Sequence, residues 1–280
     1  MSSASGWLQL ARVSNTPTVV SNSVAGAVLA SASPDAGAVT VVAGAMALFY
    51  TAGMILNDLL DYDVDLRERP ERPLPSGDVS RPAALTAVIS MFAAGEALLL
   101  LEGTEPFLAG LGLIALIVLY DAWHKGNPLS PVLMGACRAL VYFVAAFAVA
   151  GGVPTEVAVA AAVLLLYIVG LTQVAKAEGG TLSAAWPLAA VLAAVAYWAG
   201  WVNSVWYVLL LVAFAAWTLR SLWLVRSQRR IGAGVVSLIA GVSLFDALAV
   251  ASVEGSLAAV GVCLAAFLVT IALQTKIAGT

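Results

Sequence analysis

Residues 37–58, GAVTVVAGAMALFYTAGMILND, run without a break into residues 59–77, LLDYDVDLRERPERPLPSG. The first stretch carries no charge before Asp58. As a helix it is long enough to cross a bilayer core, which takes about 20 apolar residues. The second places eight charged side chains between Asp61 and Arg72. A membrane-length apolar helix that empties into a dense charged connection is the mark of a polytopic membrane protein whose polar chemistry sits at one membrane face.

The rest of the chain agrees with that reading. Of its 280 residues, 62% are apolar and only 10% charged, with a mean hydropathy of +0.98. Soluble domains are about 45–50% apolar and about 25% charged, so there are too few charges to coat a water-facing surface. The net charge of −3 leaves no basic stripe, which argues against nucleic-acid binding. Further apolar runs lie at 15–33, 82–101, 106–123, 130–151, 154–174, 183–202, 204–224, 232–252 and 256–275, making ten spans with 37–58. Ser33-Pro34-Asp35, Gly103-Thr104-Glu105-Pro106, Gly151-Gly152-Val153-Pro154 and Gly179-Gly180 punctuate them. The expected architecture is an all-α polytopic bundle forming one transmembrane domain over 1–280. Met1–Ser5 is polar and short, so the first run reads as a retained span.

Charge orients this bundle. With a cytoplasmic N-terminus, all 13 Lys and Arg residues fall on the cytoplasmic side or at its edge. The opposite connections hold Asp35, Glu102, Glu105, Glu156 and Glu254 and no base. The expected location is a cytoplasmic membrane, with both termini and the Asp-rich connection, residues 57–81, facing the cytoplasm. Contact with membrane lipids accounts for the arginine cluster at 220–230 and the interfacial tryptophans. Nothing in the chain points to a protein partner.

Asn57, Asp61 and Asp65 are spaced i, i+4, i+8, so a helix that continues out of the second span puts all three on one face. Three oxygen donors there suit a hard cation such as Mg²⁺, which takes one or two carboxylates together with phosphate oxygens. Arg69 and Arg72 follow, one turn apart if the helix persists to Pro73. Guanidinium forks beside a carboxylate-held cation make a diphosphate site. A solvated loop of self-balancing charges is the plainer alternative, but it does not account for three oxygens on one face.

These residues resemble the UbiA superfamily of intramembrane prenyltransferases. Asn57-Asp58-x-x-Asp61-x-x-x-Asp65 followed by Arg69-x-x-Arg72-Pro73-Leu74-Pro75-Ser76-Gly77 is similar to that family's first Asp-rich motif. Arg12-x-x-Asn15 and Tyr120-Asp121-Ala122-Trp123-His124-Lys125 extend the likeness, and Met134-Gly135-Ala136-Cys137-Arg138 resembles the bacterial EboC-like branch, which places the chain in a bacterial inner membrane. The likeness covers roughly residues 10 to 252, so the run at 256–275 is an addition to the family's nine helices. One departure stands out. The family's second Asp-rich motif is replaced by Thr172-Gln173-Val174-Ala175-Lys176-Ala177-Glu178, where only Glu178 keeps an acid. Either Lys176 takes over phosphate charge, or the site has lost its chemistry.

The resemblance implies Mg²⁺-dependent transfer of a prenyl group from an isoprenyl diphosphate to a lipophilic acceptor. By it, Asn57, Asp61, Asp65 and Glu178 hold the metal. Arg69, Arg72, Lys125, Lys176 and Arg138 meet the diphosphate, and Tyr120 lies near the reacting carbon, with Asp61, Asp65, Tyr120 and Lys125 catalytic. A terpene cyclase of the same type and a non-catalytic isoprenoid carrier are the alternatives. Ionisable residues inside spans are functional candidates by default. Arg138 either snorkels to the cytoplasmic face or reaches the diphosphate. Asp246 either meets an acceptor or pairs between helices, and Glu96 is expected to serve helix packing. Cys137 and Cys263 read as small apolar residues.

Overall fold

The computed structural model describes residues 4–177, 185–227, 229–254 and 256–277. Among these there is no strand. The chain runs through α1 (Ala4–Leu10), a 3-10 turn (Val13–Asn15), α2 (Pro17–Ala30), α3 (Ala36–Leu60), α4 (Tyr62–Glu68), α5 (Arg81–Glu102) and α6 (Thr104–Trp123). It continues through α7 (Ser130–Ala150), α8 (Thr155–Ala175), α9 (Trp186–Ala199), α10 (Val205–Arg226), α11 (Ile231–Ser252) and α12 (Leu257–Gln274).

Each of the ten apolar runs is a helix. Eight have the length and hydropathy to cross a membrane, including the added C-terminal α12. The exceptions are α2 and α9, at 14 residues each. At 1.5 Å per residue they reach about 21 Å, short of a roughly 30 Å core. The cause at α2 is local. Arg12 adopts a left-handed conformation (φ 44°), and the chain enters through the 3-10 turn to Pro17 at the first helical turn. Small polar residues set other starts: Asp35 accepts from the Ala38 amide at 2.8 Å and Ser80 from that of Ala83 at 3.4 Å, opening α3 and α5.

The centre of the bundle is α11, which is buried on almost every side, with α2 beside it. Polar groups on these helices are tolerated because they satisfy one another. Asp246 of α11, fully buried, accepts from Ser21 at 2.5 Å, Asn22 at 2.9 Å and Tyr142 at 2.6 Å. Asp246 therefore follows the interhelical alternative. Arg138 of α7 does not snorkel; its Nη1 donates to Asn22 Oδ1 at 3.0 Å, and its guanidinium lies 5.5 Å from the centre of the Tyr50 ring. Glu96 of α5 lies against Gly110 of α6, where an added Cβ would come within 2.7 Å of its carboxyl oxygen. Neither Glu96 oxygen has a hydrogen-bond partner among the described residues. The added helix α12 packs on α11 and α2, and the Gln274 amide donates to Asn15 Oδ1 at 3.0 Å and to the Val236 carbonyl at 3.2 Å.

Backbones approach closely at a few glycines. A Cβ on Gly26 of α2 would stand 2.7 Å from Tyr142 Cα and 2.8 Å from its carbonyl oxygen on α7. Backbone cannot rotate away as a side chain can, so Gly26→Val must separate α2 from α7. We expect this substitution to cost about 1–3 kcal/mol, read as a lowered Tm of the detergent-solubilised protein.

Candidate functional site

The helix that carries the Asp-rich segment breaks at Asp61 (φ −87°, ψ 0°), but its hydrogen-bond register does not. The Asp61 amide donates to the Asn57 carbonyl at 2.9 Å, and the Asp65 amide to the Asp61 carbonyl at 2.9 Å. The 3.6-residue phase therefore passes through the kink, and Asn57, Asp61 and Asp65 line the same cavity wall. The helix stops earlier than expected. Glu68 is the last helical residue, and Arg69 leaves the helical region (φ −143°, ψ 60°) because Pro70 disfavours the helical conformation in the residue before it. Arg69 and Arg72 are thus not one helical turn apart. Arg72 instead sits in the compact turn that follows, where the Ser76 amide donates to its carbonyl at 2.9 Å.

This wall bounds a cavity of about 410 Å³. Arg12, Arg69, Lys125, Tyr120 and Arg138 also line it, and Ile168, Leu171, Val235, Ile239 and Val242 form an apolar side. A narrower pocket of about 80 Å³ shares Tyr50, Met54, Tyr120, Met134 and Arg138 with it and continues between Phe49, Leu113, Ile117 and Val141. The space is therefore polar at one end and hydrocarbon-like at the other.

Of the residues singled out in the sequence, Asn57, Asp61, Asp65, Arg69, Arg72, Tyr120, Lys125 and Arg138 come together around the cavity. Lys176 is not among its lining residues, and its Nζ donates to the Asn127 carbonyl at 3.1 Å. Glu178 lies outside the described residues. Two of the expected phosphate binders already hold carboxylates. Arg72 meets Asp65 at 2.7 Å and Asp58 at 3.3 Å, while Lys125 meets Asp61 at 2.6 Å. Arg69 makes no ion pair among the described residues and is exposed at the cavity mouth.

Arg12, Asp58, Asp121 and His124, which stand in the motifs quoted above without an assigned role, also build the site. Arg12 reaches Asp58 at 2.9 Å, so a buried carboxylate is shared between guanidiniums from the N-terminal turn and the turn after α4. Asp121, near the end of α6, accepts from the Asn57 amide at 3.2 Å. His124 stacks on Tyr120, with ring centres 5.4 Å apart, and its Nε2 lies 3.5 Å from Asp61. Asp58 and Asp121 each sit beside a residue that was singled out, but only the folded chain shows which way they face.

The charges at Asp61 are mutually set. Burial by itself raises its carboxyl, but hydrogen bonds from His124 and Lys125 outweigh that and hold it below the usual carboxylate range. In return the Asp61 carboxylate holds the His124 imidazole above its usual value, against the opposing effect of burial. A lowered acid contributes stability above its unfolded pKa, about 3.9, and a raised imidazole contributes below its own, about 6.5. The pair is thus fully formed between about pH 4 and 6.5. On the alkaline side its contribution fades as pH rises through the raised value of His124. We expect His124→Gln to lower Tm near pH 6 and the gap from wild type to close as pH rises beyond that value, measured by thermal unfolding across pH.

The donor set suits a hard cation, because Asn57, Asp61 and Asp65 offer oxygen ligands along a cavity whose other charged residues are, Glu68 apart, all bases. Two digeranylgeranylglyceryl phosphate synthases are similar in sequence. That of Methanoregula boonei is 42% identical over 83 residues, 29% of each chain. That of Natronomonas pharaonis is 32% identical over 175 residues, covering 61% of this chain and 60% of its own. The chain thus spans less than two thirds of either relative. Among solved structures, a digeranylgeranylglyceryl phosphate synthase in membranes superposes with a TM-score of 0.63 at 19% identity, over 91% of this chain and 98% of that one. A UbiA homologue from Archaeoglobus fulgidus bound to GPP and Mg²⁺ gives 0.62 at 18% identity, over 89% and 100%. These share the fold. The sequence profile of the UbiA prenyltransferase family matches residues 19–234, the stretch from α2 into α11 that builds most of the cavity, and this integral membrane chain belongs to that family.

Proposed function

We propose that the protein transfers a prenyl group from an isoprenyl diphosphate to a lipophilic acceptor in the membrane, with Mg²⁺ as cofactor. The observation that carries this is a single cavity with carboxylates and bases at its mouth and an apolar extension behind Tyr50 and Tyr120. A prenyl diphosphate has the same division, a highly charged head on a hydrocarbon tail. The names of the similar synthases put a glyceryl phosphate lipid first among the acceptors to test.

In this reading Asn57, Asp61 and Asp65 would hold Mg²⁺, whose charge helps diphosphate depart. Arg69 is free to bind phosphate oxygens. Lys125 and Arg72 are poised to do so by exchanging a carboxylate partner for a phosphate one, since both already line the cavity. Such preorganised charge acts where negative charge grows as the carbon–oxygen bond breaks. The ring face of Tyr120, held by His124, would lie along the forming allylic cation, where an aromatic face is favourable. Apolar walls at Ile117, Leu113 and Val141 would take the chain and keep water from the cation. The N-terminus and this mouth would face the cytoplasm, as the distribution of bases implies.

The test uses membranes containing the protein, isotope-labelled geranylgeranyl diphosphate and a glyceryl phosphate lipid, with and without Mg²⁺. We expect Mg²⁺-dependent formation of a prenylated adduct, reduced about 10²-fold or more in Asp61→Ala. A labelled hydrocarbon or alcohol in place of an adduct would show a cyclase. Full activity in Asp61→Ala would remove Asp61 from the cation site.

A further inference from the structure

Asn57 can ligate a cation only through its carbonyl oxygen, and a free amide can turn either end toward the cavity. Here the choice is made by Asp121. As a carboxylate it only accepts, and the Asn57 Nδ2 donates to its Oδ1 at 3.2 Å, which turns the amide end of Asn57 toward it. The Asn57 oxygen is left for other partners. The same residue is linked to Asp61 through His124. The Asp121 carbonyl is 3.0 Å from His124 Nδ1, and His124 Nε2 is 3.5 Å from Asp61 Oδ2. One residue of α6 thus braces two of the three oxygen donors on α3 and its continuation, by its side chain and by its main chain.

Asp121 is only 4% exposed, and its second oxygen, Oδ2, is buried without a partner among the described residues. Burying an unsatisfied carboxyl oxygen is unfavourable, so core packing alone does not explain an aspartate here. We propose that Asp121 is a positioning residue of the cation site, fixing the Asn57 amide so that its carbonyl oxygen faces the cavity. Side chains that orient ligands in this way typically govern metal affinity as strongly as some ligands do. The inference rests on reading Asn57 and Asp61 as cation ligands.

The test follows Mn²⁺, in place of Mg²⁺, binding to the purified full chain beside an unreactive thiolo analogue of geranyl diphosphate. Binding is read by electron paramagnetic resonance, so no turnover is needed. We expect Asp121→Ala to weaken Mn²⁺ binding about 10–100-fold, to the level of Asn57→Ala. The double variant should be no weaker than Asn57→Ala, because both act through one amide. Asp121→Asn has the same shape and keeps an acceptor oxygen, and it should bind within about threefold of wild type. Unchanged affinity in Asp121→Ala, additive losses in the double variant, or an Asp121→Asn as weak as Asp121→Ala would each overturn the proposal. Absence of Mn²⁺ binding by the wild type, or wild-type affinity in Asp61→Ala, would instead overturn the cation site itself.

Discussion

The cavity mouth depends on a chain of alternating charge. Arg12, Asp58, Arg72 and Asp65 are linked in that order at 2.9, 3.3 and 2.7 Å, and they come from the N-terminal turn, the end of α3, the turn after α4 and α4 itself. Each charge is largely buried, so none is affordable alone; breaking a buried pair by removing one member costs about 3–5 kcal/mol. The chain ties four separate pieces of backbone into one rim. It also keeps Asp65 and the Arg72 guanidinium at the cavity.

A second set of contacts joins this rim to the bundle. Lys125 and His124 bring the end of α6 onto Asp61, and Asp121 joins the same helix to Asn57. Deeper in, Asp246 gathers Ser21, Asn22 and Tyr142, and Asn22 holds Arg138 at the boundary between the polar and apolar spaces. Asp246, Asn22 and Arg138 persist this far inside a helical membrane bundle because each has partners on neighbouring helices. Rigid placement of the charged end and the apolar end follows from the same networks.

The added helix α12 fits into this scheme. It does not line the cavity, but Gln274 reaches Asn15, which does. A C-terminal element thereby supports the cavity wall formed by the N-terminal turn, although 259 residues separate the two side chains in sequence.

By itself, the sequence determined the number and order of the apolar helices, because hydrocarbon burial has a fixed length scale and a residue-level signature. It also determined the shared face of Asn57, Asp61 and Asp65, because helix periodicity is local and survives the kink at Asp61. Pro70 is equally local, and it ends α4 before Arg69 rather than at Pro73. Only the tertiary structure decided that Arg72 and Lys125 hold carboxylates, that Lys176 turns to the Asn127 carbonyl, and that Asp58 and Asp121 belong to the rim. Those partnerships join residues up to 64 positions apart, as Asn57 and Asp121 are. No local rule specifies them: the direction of a charged side chain at a helix end is set by whichever opposite charge the packed bundle brings within reach.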